Sequence, residues 1–142
     1  MIHLQLVTLT GMKFDDDVYE VILPTLDGEI GVLPGHMPLI SVATDGVISV
    51  RREPRDPDHA REFFAISGGV IEVDGDKLSI IVDEADHADN INEAEAQAAH
   101  ERALKLKAEA KDQVSLDHAQ SLVDRSAVRL HVAGLKHRHQ RH

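Results

Sequence analysis

Acidic residues and a histidine gather where the composition of the chain changes, at Asp83, Glu84, Asp86 and His87. Carboxylates held close together can share a proton, so such a group could perform general acid–base catalysis. The sequence offers no nucleophile or oxyanion arrangement beside it, and the pattern predicts that this segment is a linker. A small hydrolase built on Asp83, Glu84 and Asp86 is therefore the least favoured interpretation.

Two further groups could hold a metal. The run Asp15, Asp16 and Asp17 lacks the alternating ligands, central glycine and closing glutamate of an EF-hand loop, and we interpret it as a solvated turn. The chain has no cysteine and its ten histidines show no zinc-site spacing. Residues 136–142, KHRHQRH, could chelate a metal weakly but are more typical of a disordered basic tail. The sequence predicts neither a catalytic nor a metal site.

The composition excludes some partners. The 142 residues include 15 basic and 25 acidic side chains, a net charge of −10, and only 3% are aromatic. Such a surface repels phosphate backbones and has little with which to stack on bases, so nucleic acid is an unsuitable partner. No apolar run reaches the roughly 18 residues of a membrane span, and no signal-peptide pattern begins the chain. We expect a bacterial cytoplasmic protein without direct membrane insertion.

The two parts of the chain follow different patterns. Residues 1–90 hold 6 basic and 18 acidic residues with all the prolines and aromatics, whereas residues 91–142 hold 9 basic and 7 acidic ones. Alternating apolar residues in the first part predict short strands with turns between them, the pattern of an antiparallel sandwich or barrel. The predicted strands are residues 2–8, 18–24, 29–33, 39–43, 47–52 and 62–67, followed by a hairpin over residues 70–82.

Glycines set the breaks in this pattern. The Asp74-Gly75 pair predicts a tight hairpin turn, and Gly68-Gly69 predicts a bulge or tight connection between strands. The segment 28–40, GEIGVLPGHMPLI, combines glycines and prolines with a charge, an imidazole and a methionine. It is either an ordinary connector or a rigid loop of the kind that contacts other proteins.

The second part is helical in its periodicity. Apolar residues spaced by three and four predict two amphipathic helices, at Ala96, Ala99, Ala103, Leu106 and Ala110 and at Leu116, Ala119, Val123, Ala127 and Leu130. Ser115 is the predicted N-cap of the second helix and Gly134 its end. The short break between them predicts an antiparallel hairpin. Its alanine face buries few methylenes, so we expect it to depend on a partner or to be able to detach.

The runs DGEIGVLPGHMPLI and FFAISGGVIEVDGDKLSIIVDEADHA, followed by two helices, closely resemble the epsilon-subunit family of F-type ATP synthases. The resemblance implies an α+β fold: an antiparallel β-sandwich over residues 1–88, a regulatory helical hairpin over residues 89–135 and a tail from residue 136. It implies a non-catalytic rotor subunit at the cytoplasmic face of the bacterial plasma membrane, where it is a peripheral component. The implied partners are the gamma subunit, the c-ring loops and, through the hairpin, the alpha/beta head, whose ATP hydrolysis the hairpin restrains.

The resemblance also assigns roles to residues. It places a c-ring contact, with Glu29 and His36 as its polar points, at Gly28, Glu29, Ile30, Gly31, Pro34, Gly35 and His36. It places gamma beside the sandwich edges near Ser67, Gly68 and Gly69.

The implied nucleotide site departs from the family pattern. Many bacterial members open the first helix with an aspartate and an arginine that help to hold ATP, but here Asn92 and Glu95 stand at those positions. Arg125 and Arg129 match the family's second pair of nucleotide-contacting arginines. A carboxylate at position 95 reverses the local charge, so we expect no cofactor and hypothesise that Glu95 pairs with Arg125 or Arg129 in place of ATP.

The periodicities alone leave a second function open. A free-standing β-sandwich interaction module, dimerising through its alanine-rich hairpin, would show the same patterns. Self-association distinguishes such a module from a rotor subunit that binds gamma as a monomer.

Overall fold

The computed structural model describes the backbone of residues 1–140 and the side chains of residues 1–136. Eight strands precede two helices: β1 (Ile2–Thr8), β2 (Gly11–Val18), β3 (Glu20–Thr25), β4 (Gly28–Val32), β5 (Leu39–Ala43), β6 (Gly46–Arg51), β7 (Glu62–Asp74), β8 (Lys77–His87), α1 (Glu93–Glu109) and α2 (Gln113–Gln140). Short 3₁₀ turns lie at Asp58–Ala60 and Ala88–Asn90, and we call the second one the linker turn.

The strands form one sheet that folds over itself. Its order is β2-β1-β8-β7-β5-β3-β4. β6 lies end to end with β5 along the same edge of β7 and also pairs with β3. Phe14 of β2 meets Phe64 of β7 edge to face at 5.7 Å, although β1 and β8 separate their strands within the sheet. The contact therefore crosses the core between two layers. The predicted sandwich and helical hairpin are confirmed, except that β1 and β8 pair in parallel.

The core follows from the alternation of apolar residues along the strands. The largest fully buried side chains point inward from five strands and from the hairpin of β7 and β8, and include Leu4, Leu6, Leu23, Ile48, Phe64, Ile71, Leu78 and Ile80. Burying each such side chain contributes about 1.5–3 kcal/mol. The sandwich therefore has a continuous core of its own.

The predicted turn at Asp74-Gly75 is confirmed. Asp74 pairs with Lys77 across two residues, and Gly75 has a φ of 61°, a conformation that favours glycine. The predicted break at Gly68-Gly69 is wrong, because β7 is continuous and keeps its register with β8. Instead, the inward face of β7 changes phase there, from Phe64 and Ile66 to Ile71 and Val73.

The interpretation of Asp15, Asp16 and Asp17 as a solvated turn is also wrong. They lie in β2, opposite Gln5, Leu4 and His3 of β1. Propensity hides this strand because aspartate is poor in sheets. The strand is held by the buried side chains of Phe14 and Val18 and by contacts from His3 to Asp15 and Asp17.

The helix boundaries differ from those predicted. Asp112, and not Ser115, caps α2, since its Oδ1 accepts the backbone N–H of Ser115 at 2.7 Å. Gly134 lies inside α2, which continues through Gln140. Residues 136–140 are thus helical where a disordered tail is predicted, and residues 141 and 142 lie outside the described residues.

The hairpin packs on the outer face of the sandwich. The first part of β7 is buried on both sides: Phe64 and Ile66 face the core, while Phe63 and Ala65 face a second cluster. That cluster is completed by Ala88, Ile91, Ala96, Val132 and Ala133. In the part of the chain that the structure describes, no helix is long and apolar enough to cross a bilayer.

Candidate functional site

A row of apolar side chains, four of them exposed and one, Val7, half-buried, crosses five adjacent strands on the outer face of the sandwich. Strand register aligns them, from β5 through β7, β8 and β1 to β2, as Val42, Val70, Ile81, Val7 and Met12. Val42 and Val70 are 48% exposed and Ile81 is 58% exposed. At about 4.8 Å between strands, this outer apolar row is about 19 Å long. Contiguous exposed apolar surface of this kind is typical of a protein contact.

The first four predicted c-ring residues lie in β4, at the opposite edge of the sheet from β2. Gly28, Glu29, Ile30 and Gly31 belong to β4, an edge strand, and Glu29 is exposed. The turn before them is fixed because Thr25 Oγ1 donates to the carbonyl of Gly28 and accepts the N–H of Asp27. Glu29 is thus presented from a rigid edge.

Pro34, Gly35 and His36 form the turn that follows β4. The N–H of His36 donates to the carbonyl of Leu33 at 3.1 Å, and Gly35 has a φ of 84°. His36 Nδ1 donates to the carbonyl of Met37 at 2.7 Å, which leaves Nε2 as an outward acceptor. Glu29 and His36 are therefore available for contact, as the sequence predicts, although their partner stays a prediction.

Ser67, Gly68 and Gly69 do not lie on a sheet edge. They occupy the middle of β7, which has β8 on one side and β6 followed by β5 on the other. Ser67 is only 4% exposed and lies under α2, and the N–H of Gly68 donates to Asp45 Oδ1 at 2.8 Å. The expectation of a sandwich edge here is wrong, and a gamma contact at Ser67 would require α2 to move away.

Three ion pairs line the seam between the sandwich and α2. Arg125 Nη1 lies 3.4 Å from Glu84 Oε1, and Arg129 Nη1 lies 3.3 Å from Asp86 Oδ2. Farther along, Lys136 Nζ lies 3.3 Å from Asp89 Oδ1. The acidic cluster of residues 83–87 therefore belongs to β8 and not to a linker, and two of its carboxylates fasten α2. Each of these partly exposed pairs contributes about 0–1 kcal/mol. They therefore fix where α2 lies on the sandwich but add little to the free energy of its attachment.

The seam also contains imperfect packing. A cavity of about 10 Å³, room for about one water molecule, is lined by Ser67, Glu84, Asp86, Arg125 and Arg129 among others. Ser67 Oγ and Arg125 Nε are both buried, and neither has a hydrogen-bond partner among the described residues. Unsatisfied polar atoms of this kind cost free energy in the docked state.

Glu95 does not act as hypothesised, and Asn92 caps a helix. Asn92 is the N-cap of α1, its Oδ1 accepting the N–H of Glu95 at 3.0 Å. Among the described residues Glu95 forms no ion pair, so the expected pairing with Arg125 or Arg129 is wrong for this structure. β8 supplies both partners instead.

The groove beside these residues is a poor match for ATP. About 660 Å³ in volume, it lies between α1, α2 and β8, and Glu84, Glu95, Arg102, Arg125 and Arg129 line it. The two arginines that match the family pattern already face carboxylates, and Glu95 adds a charge that repels phosphate. The residues present do not fit a nucleotide, and no step of the proposed function uses one.

Sequence reasoning missed the outer apolar row and a polar network near the linker turn. The row has a signal in the sequence: in KLSIIV, alternation is broken because Ile80 and Ile81 are consecutive, and Ile81 is left outside. The network joins Asp16, Arg52, Glu62 and His87 through side-chain contacts. No local signal predicts it, because its members are far apart in the sequence: three come from different strands, and Arg52 follows β6.

The comparisons with known proteins agree with this architecture. Residues 1–88 match the family model described as "ATP synthase, Delta/Epsilon chain, beta-sandwich domain". The chain is 35% identical over 137 residues to the ATP synthase epsilon chain of Sulfurihydrogenibium sp. (strain YO3AOP1), covering 96% of this chain and 99% of that one. It is also 35% identical over 134 residues to the ATP synthase epsilon chain of Chloroflexus aggregans, covering 94% and 93%.

Solved structures show the same fold. A chain of the Euglena gracilis mitochondrial ATP synthase, in a structure of OSCP, F1 and the c-ring, matches with a TM-score of 0.77 and 22% identity, over 93% of this chain and 80% of that one. A chain of the central stalk and c-ring structure of the Tetrahymena thermophila mitochondrial ATP synthase matches with a TM-score of 0.60 and 12% identity, over 93% and 96%.

The fold and these relatives define the class of small, non-catalytic subunits of the multi-subunit ATP synthase. Within that class, the chain belongs to the ATP synthase delta/epsilon family, with epsilon chains as its bacterial relatives.

Proposed function

We propose that this chain is the central-stalk epsilon subunit of a proton-translocating F-type ATP synthase, and that it couples the gamma subunit to the c-ring. It lies at the cytoplasmic face of the bacterial plasma membrane as a peripheral component. The observation that carries the proposal is the outer apolar row, which offers a docking surface on a rigid sheet. Epsilon-chain relatives over nearly the full length support the same assignment.

Gamma docks on the outer apolar row in this proposal. Interface cores are rich in apolar groups and poor in charge, and Val42, Val70 and Ile81 provide such a centre. Ordering costs are small because the sheet already holds these side chains in place. Glu29 and His36, on and beside the edge strand β4, then face the polar loops of the c-ring.

The hairpin acts as a restraint on ATP hydrolysis. Its docked state is held by partly exposed ion pairs and a small apolar cluster, and among the described residues Ser67 Oγ and Arg125 Nε have no protein partner there. Such a seam forms a defined docked state that is weak enough to open. In the open state the hairpin reaches the alpha/beta head, and ATP is not required for either state.

Binding to purified gamma from the same organism tests the docking surface. Ile81→Asp places a charge at the centre of the row and should weaken gamma binding by about 30-fold or more, the effect expected of a central interface residue. The matched control is Leu104→Asp, since Leu104 is similarly exposed but lies on α1. Binding unchanged by Ile81→Asp would contradict the docking proposal. A stable dimer that does not bind gamma would favour the self-associating module.

A further inference from the structure

His87 lies where the sandwich joins the hairpin. It is the last residue of β8 and the N-cap of the linker turn that leads into α1. Its ring packs edge to face on Phe64 at 4.9 Å and is 22% exposed. A change in the charge or position of this side chain therefore alters contacts both with the sandwich core and with the start of the hairpin.

The hydrogen bonds of His87 determine its protonation state in this structure. Nδ1 accepts the backbone N–H of Asp89 at 3.0 Å, and a backbone N–H can only donate, so Nδ1 carries no proton. Nε2 lies 3.1 Å from Glu62 Oε1 and donates its proton to that carboxylate. The docked arrangement thus contains the neutral ring with its proton on Nε2.

Charged groups surround this ring from every element that packs near it. Glu62 of β7 is bound by Arg52, the residue that follows β6, and Arg52 also contacts Asp16 of β2. Burial works against the charge on Glu62, but hydrogen bonds from Arg52 and His87 hold the pKa of this carboxyl below its ordinary value. Glu62 therefore stays ionised and available to a protonated ring.

The other side of the ring faces the linker turn and α2. Asp89 Oδ2 lies 3.5 Å from His87 Nδ1, while Oδ1 of the same carboxylate pairs with Lys136 of α2. His59 and Arg61, from the preceding loop, line the same cavity of about 150 Å³ as His87 and Lys136. The cavity opens to solvent and gives protons access to the ring.

We propose that His87 is a proton-operated switch of the linker turn, which closes the turn when neutral and loosens the attachment of α2 when protonated. A proton on Nδ1 turns this atom into a donor, so it can no longer accept the N–H of Asp89. The protonated Nδ1 binds Asp89 Oδ2 instead, and its positive charge partly neutralises the carboxylate that holds Lys136 through Oδ1, which weakens that ion pair. Histidine is the residue type whose charge changes between about pH 5 and 8.

The effect is confined to one end of the seam. The pairs Arg125–Glu84 and Arg129–Asp86 join guanidinium groups to carboxylates and contain no histidine. Acidification should therefore loosen the end of α2 near Lys136 first, where Val132 and Ala133 pack in the second cluster. The switch concerns this chain alone and does not depend on the proposed function.

NMR on the full chain between pH 5.5 and 8 tests the switch. We expect the ring nitrogens of His87 to show the Nε2-protonated neutral form at high pH, and the amide shift of Asp89 to titrate with the same midpoint as the ring. Amide exchange of Val132 and Ala133, corrected for its intrinsic pH dependence, should quicken about tenfold at low pH, the loss expected for about one hydrogen bond.

Two variants make the test specific. His87→Asn keeps an oxygen that can accept the Asp89 N–H but cannot gain a proton, so the exchange rates should lose their pH dependence. His59→Asn removes the other histidine of the cavity and should leave the switch intact. An Nδ1-protonated ring at high pH, separate midpoints for His87 and Asp89, or the same exchange profile in the wild type and His87→Asn would each overturn the proposal. If His87→Asn does not fold, two measurements on the wild type still test the proposal. They are which ring nitrogen of His87 is protonated at high pH, and whether His87 and the Asp89 amide share a titration midpoint.

Discussion

Arg125 Nη1 lies 3.4 Å from Glu84 Oε1 and so joins α2 to β8. One turn later, Arg129 makes the equivalent contact with Asp86. The two arginines that the family pattern assigns to a nucleotide are thus partnered within the chain. In the docked state, β8 of the sandwich supplies the counter-charges of these arginines.

ATP should therefore bind poorly to the unmodified chain. Replacing Asn92 and Glu95 by aspartate and arginine restores the family residues in the groove and should create measurable affinity in calorimetry, because the charge at position 95 then attracts phosphate. The control combines Asn92→Asp with Glu101→Arg, which makes the same net charge change but places the arginine elsewhere on α1. Tight ATP binding by the unmodified chain would contradict the account.

The adjacent residues Phe63 and Phe64 should have separable effects. Phe64 faces the sandwich core and Phe63 faces the cluster under the hairpin. Phe64→Ala should lower the free energy of unfolding by about 3–5 kcal/mol and speed amide exchange throughout the sandwich. Phe63→Ala should speed exchange in α2 while β1 stays protected. Equal exchange profiles for the two variants would show that sandwich and hairpin open as one unit.

Gly69 should tolerate no side chain. A Cβ there would overlap the carbonyl oxygen of Ile81 and lie 2.8 Å from Cα of Val82, and both are backbone atoms of the paired strand. Gly69→Ala should lower the free energy of unfolding by about 1–3 kcal/mol or more in urea titrations. Gly31→Ala meets nothing within 4 Å and should change it by no more than about 0.5 kcal/mol. Equal stabilities of the two variants would contradict the register of β7 and β8.

His3 should make the stability of the sandwich edge depend on pH. Its Nδ1 lies 2.8 Å from Asp17 Oδ1 and its Nε2 2.6 Å from Asp15 Oδ1, so both nitrogens donate only in the imidazolium form. Hydrogen bonds to Asp17 and then Asp15 raise the pKa of His3 above its ordinary 6.5. The stabilisation is full below the unfolded pKa and is lost as the pH rises through the folded one.

Urea unfolding at pH values below the unfolded pKa of His3 and above its folded pKa tests the direction of this pH dependence. The difference in stability between the wild type and His3→Gln should be larger on the acid side and shrink on the alkaline side. His36→Gln is the matched control, since the His36 ring bonds only a backbone carbonyl among the described residues. A difference that grows with pH would contradict the assignment.

The sequence predicted what depends on local chemistry. The hairpin around Gly75 is specified by its turn and its alternating residues, and the two helices by their apolar spacing. β2 was not predicted, because three consecutive aspartates are untypical of a strand. The histidine that offsets their charge, His3, belongs to another strand.

Other errors have the same non-local origin. Gly134 suggested a helix end, but α2 continues because Val132 and Ala133 pack in the cluster beneath it. The c-ring contact comes from the family pattern and stays a prediction, whereas the partners of Arg125 and Arg129 depend on how α2 lies across β8. Spacing within one segment contains no information on such contacts.

The most direct measurement is purification of the ATP synthase from the organism itself, with the full chain or with a chain ending at residue 90. We expect both forms to co-purify with gamma in stoichiometric amount, since the outer apolar row lies within residues 1–90. ATP hydrolysis by the assembled head should rise when the hairpin is missing. Failure of the full chain to co-purify with gamma would contradict the assignment as a stalk subunit, and unchanged hydrolysis in a complete complex would contradict the restraining role of the hairpin.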